Sequence, residues 1–250
     1  MISVFGITDR GVLRSQNQDC CAYEGNGQDR AWGVVCDGMG GAKAGDIASR
    51  IGIEVFREYM TQKAKESEPE KWGELLREAV EKGNHVIHHC AMTDRDCQGM
   101  GTTLVGAFLE KEVATVINVG DSRAYHINEQ GINRVTRDHS IVEALVARGS
   151  ITPEQARVHP QKNLITRALG TSRTVESDVY ETTLKIGDWL LLCSDGLINE
   201  MRDDEIHQAV IGERDPEAAC TKLLDIALAR EASDNVTILA FRLEAPEEKE

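Results

Sequence analysis

Residues 102–127 contain Thr102-Thr103-Leu104-Val105-Gly106-Ala107-Phe108-Leu109, then Val113-Ala114-Thr115-Val116-Ile117-Asn118-Val119, then Arg123-Ala124-Tyr125-His126-Ile127. β-Branched and aromatic residues crowd all three runs, and the polar connections are too short for crossovers. The pattern predicts three neighbouring antiparallel strands. Upstream, Val4-Phe5-Gly6-Ile7-Thr8 and Ala31-Trp32-Gly33-Val34-Val35-Cys36 read as buried strands, the second ending in Asp37-Gly38. Between these and the strand cluster, residues 43–64 place Ala44, Ile47, Ala48, Ile51, Val55 and Tyr59 at helical spacing. Residues 70–93 do the same with Leu75, Leu76, Ala79, Val80, Val86 and Ile87. Downstream come a helix-like 141–148, a polar stretch 149–162 carrying Pro153 and Pro160 that reads as a surface flap, and a strand Trp189-Leu190-Leu191-Leu192-Cys193. Helices over 203–211 and 216–230 and a strand over 235–243 complete the pattern. Strands and helices are grouped, not alternating, which predicts an α+β fold of antiparallel sheet with helices layered outside it. A chain of 250 residues can bury one large core, so a single domain over 1–243 is expected, followed by an acidic tail, 244–250.

Lys and Arg number 28 against 42 Asp and Glu, a formal charge of −14. Such a surface repels nucleic-acid backbones and anionic lipid, so neither is expected as a partner. An acidic protein that binds phosphate must create positive potential locally, with cations or with a few placed Arg and Lys residues. The seven cysteines, at 20, 21, 36, 90, 97, 193 and 220, lack the spacing of a disulfide scaffold or of paired zinc knuckles, and are expected as reduced thiols. Cys36 and Cys193 lie in apolar runs, where a thiol acts as a small hydrophobe. No apolar stretch approaches the length of a membrane span, and the N-terminus has no basic and apolar leader pattern, so a cytoplasmic setting is expected.

Two segments share one design. Val34-Val35-Cys36-Asp37-Gly38 and Leu191-Leu192-Cys193-Ser194-Asp195-Gly196 each deliver an Asp at the end of an apolar strand with Gly beside it. Gly there lets the chain turn sharply and lets a ligand approach the backbone. Asp234 precedes the terminal strand, Asp19 follows the polar run Arg14-Ser15-Gln16-Asn17-Gln18, and Asp121 lies in the Gly120-Asp121-Ser122-Arg123 turn. An isolated Asp-Gly marks a turn and nothing more. Five carboxylates brought together at strand ends would repel one another unless hard divalent cations neutralised them, and oxygen donors without His or Cys favour Mg²⁺ or Mn²⁺ over Zn²⁺.

The ordered series Arg14-x-x-Asn17-Gln18-Asp19, Asp37-Gly38-Met39-Gly40-Gly41, Gly101-Thr102-Thr103, Val119-Gly120-Asp121-Ser122-Arg123, Asp138-His139-Ser140, Arg167-Ala168-Leu169-Gly170, Ser194-Asp195-Gly196-Leu197 and Ser233-Asp234-Asn235 resembles the PPM family, the PP2C-type protein phosphatases, in their compact bacterial form. The resemblance implies an α/β/β/α sandwich of two antiparallel sheets with a metal centre at one edge. It also implies a serine/threonine protein phosphatase that acts on phosphorylated proteins and opposes a protein kinase. By position, Asp37 would bridge two Mn²⁺ or Mg²⁺ ions, the Gly38 carbonyl would bind one, and Asp195 and Asp234 would hold the other. Asp19 would act near the second ion through water, and Asp121 with Asp195 would bind a third, weaker ion. The catalytic set is then Asp37, Asp195 and Asp19, with a water between the ions attacking phosphorus in line. Arg14 is the candidate for a bidentate contact to substrate phosphate.

Two positions depart from the family pattern. Gln18 stands where many relatives carry Glu, and Met39 stands where animal relatives place a His proposed to protonate the leaving group, so water is the default acid here. Other candidate sites are weaker. His85, His88, His89 and Cys90 lie on one helix without a second zinc-ligand pair, and Gly38-Met39-Gly40-Gly41 lacks the Lys-Ser/Thr of a nucleotide-binding loop. His139 precedes a helix, where capping competes with catalysis as its role. Two rival readings are a phosphoprotein-binding module that keeps the fold without turnover and a Ca²⁺-binding structural protein. The second lacks the twelve-residue EF-hand pattern.

Overall fold

The computed structural model describes residues 1–25, 27–40, 44–63 and 71–245; Gly41, Lys43, Ala64, Glu70 and the tail over 246–250 fall outside them. In the first sheet β5 (Leu104–Glu110) is central, paired antiparallel with β3 (Arg30–Met39) and β6 (Val113–Val119). β2 (Asp19–Glu24) and β9 (Asp178–Thr183) flank them, and the short β4 (Gly101–Thr102) pairs with the end of β3. The second sheet runs β1 (Ile2–Asp9), β11 (Val236–Leu243), β10 (Trp189–Cys193), β7 (Arg123–Asn128), β8 (Gly131–Arg134).

Alternation along the strands builds three apolar layers. In β5, Leu104 and Phe108 face α1 (Ala44–Lys63) and α2 (Trp72–Thr93), while Val105, Ala107 and Leu109 face the other sheet. In β10, Leu190 and Leu192 meet them from the opposite side, and Trp189, Leu191 and Cys193 face α5 (Asp195–Glu200), α6 (Asp203–Val210) and α7 (Pro216–Ala229). The result is the expected four-layer α/β/β/α sandwich. Trp72 stacks on Phe108 with centroids 3.7 Å apart, which joins the start of α2 to the middle of the first sheet.

Several sequence expectations need correction. β7 does not extend the β5–β6 hairpin. The place beside β6 belongs to β9, and the turn at Gly120, with φ +112°, carries the chain across to pair with β10. The inner face of α1 is Ala48, Ser49, Gly52, Ile53, Phe56 and Met60, while Ile47, Ile51 and Tyr59 only flank it. Small residues bring the first turns of this helix close to the sheet, and Ile53, Phe56 and Met60 complete the face. A Cβ on Gly52 would lie 3.3 Å from Cys36 Sγ. Val86 is exposed, and Gly83, Asn84 and Ile87 are the buried residues of that part of α2. The polar stretch 149–162 contains a short helix α4 (Pro153–Arg157), started by a Thr152–Gln155 capping box, after α3 (Ile141–Ala147), which Ser140 caps. β2, β8, β9 and α5 were not read from the sequence at all. The seven cysteines are free thiols, Cys36 and Cys193 among the buried ones, and His85 and His89 lie on the exposed face of α2. Among the described residues, no helix is long and apolar enough to cross a membrane.

Candidate active site

Strand parity decides where the carboxylates point. Val35 on β3, Cys21 on β2, Leu239 on β11 and Val4 on β1 pack between the sheets. Two residues further along each pleat, or a multiple of two, stand Asp37, Asp19, Thr237 and Thr8, all at one end of the sandwich. Asp19 lies directly opposite Asp37, and Thr8 opposite Thr237. Asp195 opens α5 immediately after β10, Asp234 precedes β11, and Asp121 lies in the β6–β7 turn, so chain ends from both sheets meet at the same edge. Asp37, Asp121, Asp195 and Asp234 line a cleft of about 490 Å³ together with Arg14, Gln18, Gly38, Met39, Asn163 and Ile165, and Asp19 is buried behind it against β3.

The acids perturb one another. The Asp37 carboxyl is pushed well above the ordinary carboxylate range, first by burial and then by the charges of Asp19, Asp195, Asp121 and Asp234. Burial also raises Asp19 to about 7, against hydrogen bonds from Ser194 and Thr237 that favour its charged form. Asp195 is raised to about 6 by burial and Asp234, and Asp121 to about 8 by burial, Asp195 and Asp138. Such values signal a site built to hold cations.

Hydroxyls and amides hold these groups in place. Ser194 Oγ and Thr237 Oγ1 each donate to Asp19 Oδ2 at 2.7 Å, and Thr237 Oγ1 lies 2.6 Å from Thr8 Oγ1. The other oxygen, Asp19 Oδ1, is buried without a hydrogen-bond partner. The Asp37 amide donates to Thr103 Oγ1 at 3.1 Å, and its carbonyl accepts from the Thr103 amide and from Thr102 Oγ1. Asn235 accepts from the Gln18 amide and donates to the Arg10 and Gln16 carbonyls, which ties the Arg14 loop to β11. Lys162 donates to Asn199 Oδ1 at 2.9 Å, and Asn199 donates to Asp195 Oδ2 at 3.2 Å, a chain from the flap stretch to the acid cluster. Arg14 Nη2 makes a half-exposed ion pair with Asp234 at 2.7 Å. His139 Nδ1 accepts from the Gly120 amide at 3.1 Å and its Nε2 faces Asp178, so this ring supports the Asp121 turn, while the cap of α3 falls to Ser140.

The Asp-Gly pairs have a packing reason that the sequence reading did not supply. A Cβ on Gly38 would lie 2.1 Å from the Gly45 carbonyl oxygen, and one on Gly196 would lie 2.0 Å from that of Asn235. Neighbouring backbone fills those spaces, and β3 runs straight on to Met39 instead of turning at Gly38. Thr103, Ser194, Thr237, Asn199, Lys162 and Asn235 were not assigned site roles from sequence. Strand parity could have found Thr237, but isolated hydroxyls and amides carry no distinguishing signal.

The donor set fits divalent cations. It is all oxygen, its five carboxylates are met by one direct ion pair, Arg14 to Asp234, and Asp19 Oδ1 is left unsatisfied. Among the described residues, no group of three His, Cys, Asp or Glu side chains could hold a metal ion by itself, so main-chain oxygen and water would have to complete coordination, as Mg²⁺ and Mn²⁺ permit.

The sequence profile described as Protein phosphatase 2C matches residues 13–216. A serine/threonine phosphatase stp of Listeria welshimeri is 34% identical over 232 residues, covering 93% of this chain and 92% of that protein. Serine/threonine protein phosphatase PstP of Mycobacterium tuberculosis is 35% identical over 93% of this chain but only 43% of its own length. The crystal structure of Stp1 from Staphylococcus aureus superposes with a TM-score of 0.89 at 36% identity, covering 98% of this chain and 96% of that one. The PstP catalytic domain in complex with two manganese ions gives 0.86 at 30% identity, covering 98% and 99%.

Proposed function

The chain belongs to the protein phosphatase 2C family and is a serine/threonine protein phosphatase with a two-ion manganese or magnesium cofactor, and from that premise we propose how its own residues serve the reaction. Asp37, Asp195 and Asp234 with the Gly38 carbonyl would hold the two core ions, Asp19 would act near the second, and Asp121 with Asp195 would hold a third, weaker one. When bound, the ions supply an acidified water as nucleophile and neutralise charge on the transferring phosphoryl group. Arg14, half-exposed beside Asp234 at the cleft, would turn to the substrate phosphate, since a planar guanidinium matches two phosphoryl oxygens. Asn235 keeps Arg14 in reach by clamping both sides of its loop. Met39 lines the cleft and cannot donate a proton, so the leaving oxygen takes one from water.

The mutual repulsion at Asp37 carries this reading: one carboxyl feels four others, an arrangement a metal-free function would not need. The substrates are phosphoserine and phosphothreonine proteins, produced by a kinase that this enzyme opposes in the cytoplasm. The −14 charge argues against nucleic-acid or membrane partners. Residues 149–162 act as a flap beside the cleft within one catalytic domain over 1–243. The test is phosphate release from a phosphothreonine peptide with and without Mn²⁺, alongside Asp37→Asn. Release that needs Mn²⁺ and falls by about 10³-fold or more in the variant supports the assignment. Wild-type turnover in the variant would remove Asp37 from the centre.

A further inference from the structure

We propose that His139 is a positioning residue for the Asp121 ion site, locked as a neutral imidazole whose bare Nδ1 sets the turn at Gly120 and Asp121; this rests on the reading of Asp121 as an ion ligand. Asp121 differs from the other acids of the cleft in how it is aimed. Asp19 is anchored by Ser194 and Thr237, Asp195 by Asn199 and Asp234 by the Asn235 amide, each through a carboxylate oxygen. Among the described residues, no such donor from elsewhere reaches the Asp121 carboxylate, and Arg123, two residues on, commits its guanidinium to Asp138 and Tyr125. The direction of Asp121 therefore comes from the main chain that carries it.

That main chain is held at Gly120. His139 grips it twice, its own amide donating to the Gly120 carbonyl at 2.8 Å and its Nδ1 accepting from the Gly120 amide at 3.1 Å. Asn118 Nδ2 adds a second donor to the same carbonyl at 3.2 Å. On the other side the turn is pressed against Thr103, since a Cβ on Gly120 would lie 2.6 Å from Thr103 Cγ2. Thr103 Oγ1 lies 2.7 Å from Ser122 Oγ and accepts from the Asp37 amide. The turn is thus fixed between His139 and the hydroxyl that holds Asp37.

The contacts assign the proton on the ring. A backbone amide can only donate, so Nδ1 is bare and the neutral imidazole carries its hydrogen on Nε2. Nε2 points at Asp178 Oδ2, 3.1 Å away at the start of β9, and Arg167 donates to Asp178 Oδ1 at 3.0 Å. Arg167 Nη1 also lies 3.1 Å from Nε2, but two N–H groups cannot bond to each other, so this contact follows from their sharing one carboxylate. A carboxylate behind an imidazole fixes its tautomer and orientation, and the ring is only 7% exposed, so water does not compete for either nitrogen.

The experiment titrates Mn²⁺ into metal-free protein by calorimetry, without substrate, for the wild type, His139→Asn and His139→Gln, with metal-free melting curves alongside. Asn places an oxygen where Nδ1 stands and Gln places its amide where Nε2 stands, so only the first keeps an acceptor for Gly120. The wild type should take up a weaker Mn²⁺ after two tighter ones. His139→Gln should bind that weaker ion about 10–100-fold less tightly with the tighter pair little changed, while His139→Asn stays close to the wild type. Asp178→Ala, which frees the ring to turn, should weaken the same ion and spare the pair. Weak-ion binding by His139→Gln at the wild-type level, a loss in His139→Asn as large as in His139→Gln, or a weakening of all ions in step with a fall in melting temperature would overturn the proposal. A wild type that binds two ions and no third overturns it by taking Asp121 out of the centre, and a wild type that binds none overturns the metal centre itself.

Discussion

Replacing Asp19 by Asn should make the metal-free protein more stable while damaging its activity. Burial first, and then the Asp195 charge, raises the Asp19 carboxyl from 3.8 to about 7. Because its folded pKa exceeds the unfolded one, the stability it contributes is fully present below about pH 4 and is lost as pH rises through about 7. At about 1.4 kcal/mol for each tenfold change in proton affinity, carrying the charged form at pH 8 costs on the order of 4 kcal/mol. Asn keeps an oxygen to accept from Ser194 and Thr237, and its amide can donate to Asp37. We expect Asp19→Asn to recover about 2–4 kcal/mol at pH 8 in the presence of chelator, which for a chain of this size raises the melting temperature by roughly 5–15 °C. The gap should shrink towards pH 4, where wild-type Asp19 is protonated. It should also narrow when Mn²⁺ is added, because a ligand at 100 times its Kd stabilises by about 2.7 kcal/mol and the wild type binds it better. Scanning calorimetry across pH 4–8 with chelator, then with Mn²⁺, reads all of this. If metal-free Asp19→Asn melts at or below wild type at pH 8, the buried charge is not the liability argued here.

Three further outcomes follow from the same contacts. Metal binding should release protons, roughly two to three per chain near pH 6.5 and fewer by pH 8.5, since Asp19 and Asp121 are raised to about 7 and 8, Asp37 is raised as well, and all must ionise; calorimetric titration in buffers of different ionisation enthalpy measures the number, and no release at pH 6.5 contradicts those shifts. Arg14→Ala should raise KM for phosphopeptide by roughly 10–100-fold with a smaller change in kcat, as expected for a lost charge-assisted contact; an unchanged KM takes Arg14 out of the phosphate site. Lys162→Ala and Asn199→Ala should each lower Mn²⁺ affinity or turnover by roughly 10–100-fold, and the double variant should be no worse than the poorer single one; additive losses would mean that the two do not act through Asp195 as one chain.

The layered fold was legible where one periodicity held over a long run. β-Rich runs joined by a short polar turn in 102–119 specified an antiparallel hairpin, and the apolar runs before Asp37 and Asp195 specified the strands that deliver them. The periodicity argument failed where packing uses little apolar area. The contact face of α1 combines the small Ala48, Ser49 and Gly52, which let helix and sheet approach, with Ile53, Phe56 and Met60, while Ile47, Ile51 and Tyr59 mark its border, so apolar residues at helical spacing occur on both and spacing alone did not separate them. It failed again at β7, because local sequence prescribes a turn at Gly120 but says nothing of which sheet receives the next strand. That choice rests on β9, about sixty residues away, taking the place beside β6.

The acids of the site were legible because charge at the end of an apolar strand is costly and therefore informative, whereas the groups that hold them were not. A hydroxyl such as Ser194 or Thr237 is unremarkable in a sequence, and its role appears only when two sheets bring it within 2.7 Å of Asp19. Those hydroxyls also explain a division of labour at Asp19. Oδ2 is saturated by fixed donors and Oδ1 is buried without a partner, so only one oxygen of the side chain is committed to the protein. The same economy recurs at Asp195, where Asn199 engages Oδ2 alone, whereas at Asp234 the Asn235 amide holds Oδ1 and Arg14 occupies Oδ2, so that oxygen is free only once Arg14 moves away. Anchoring one oxygen sets the direction of the other, and a set of carboxylates held in this way presents its free oxygens to the cleft before any cation arrives. The fold thus carries the repulsion of its acids as a standing cost, and the Asp19→Asn and proton-release measurements read that cost from opposite sides.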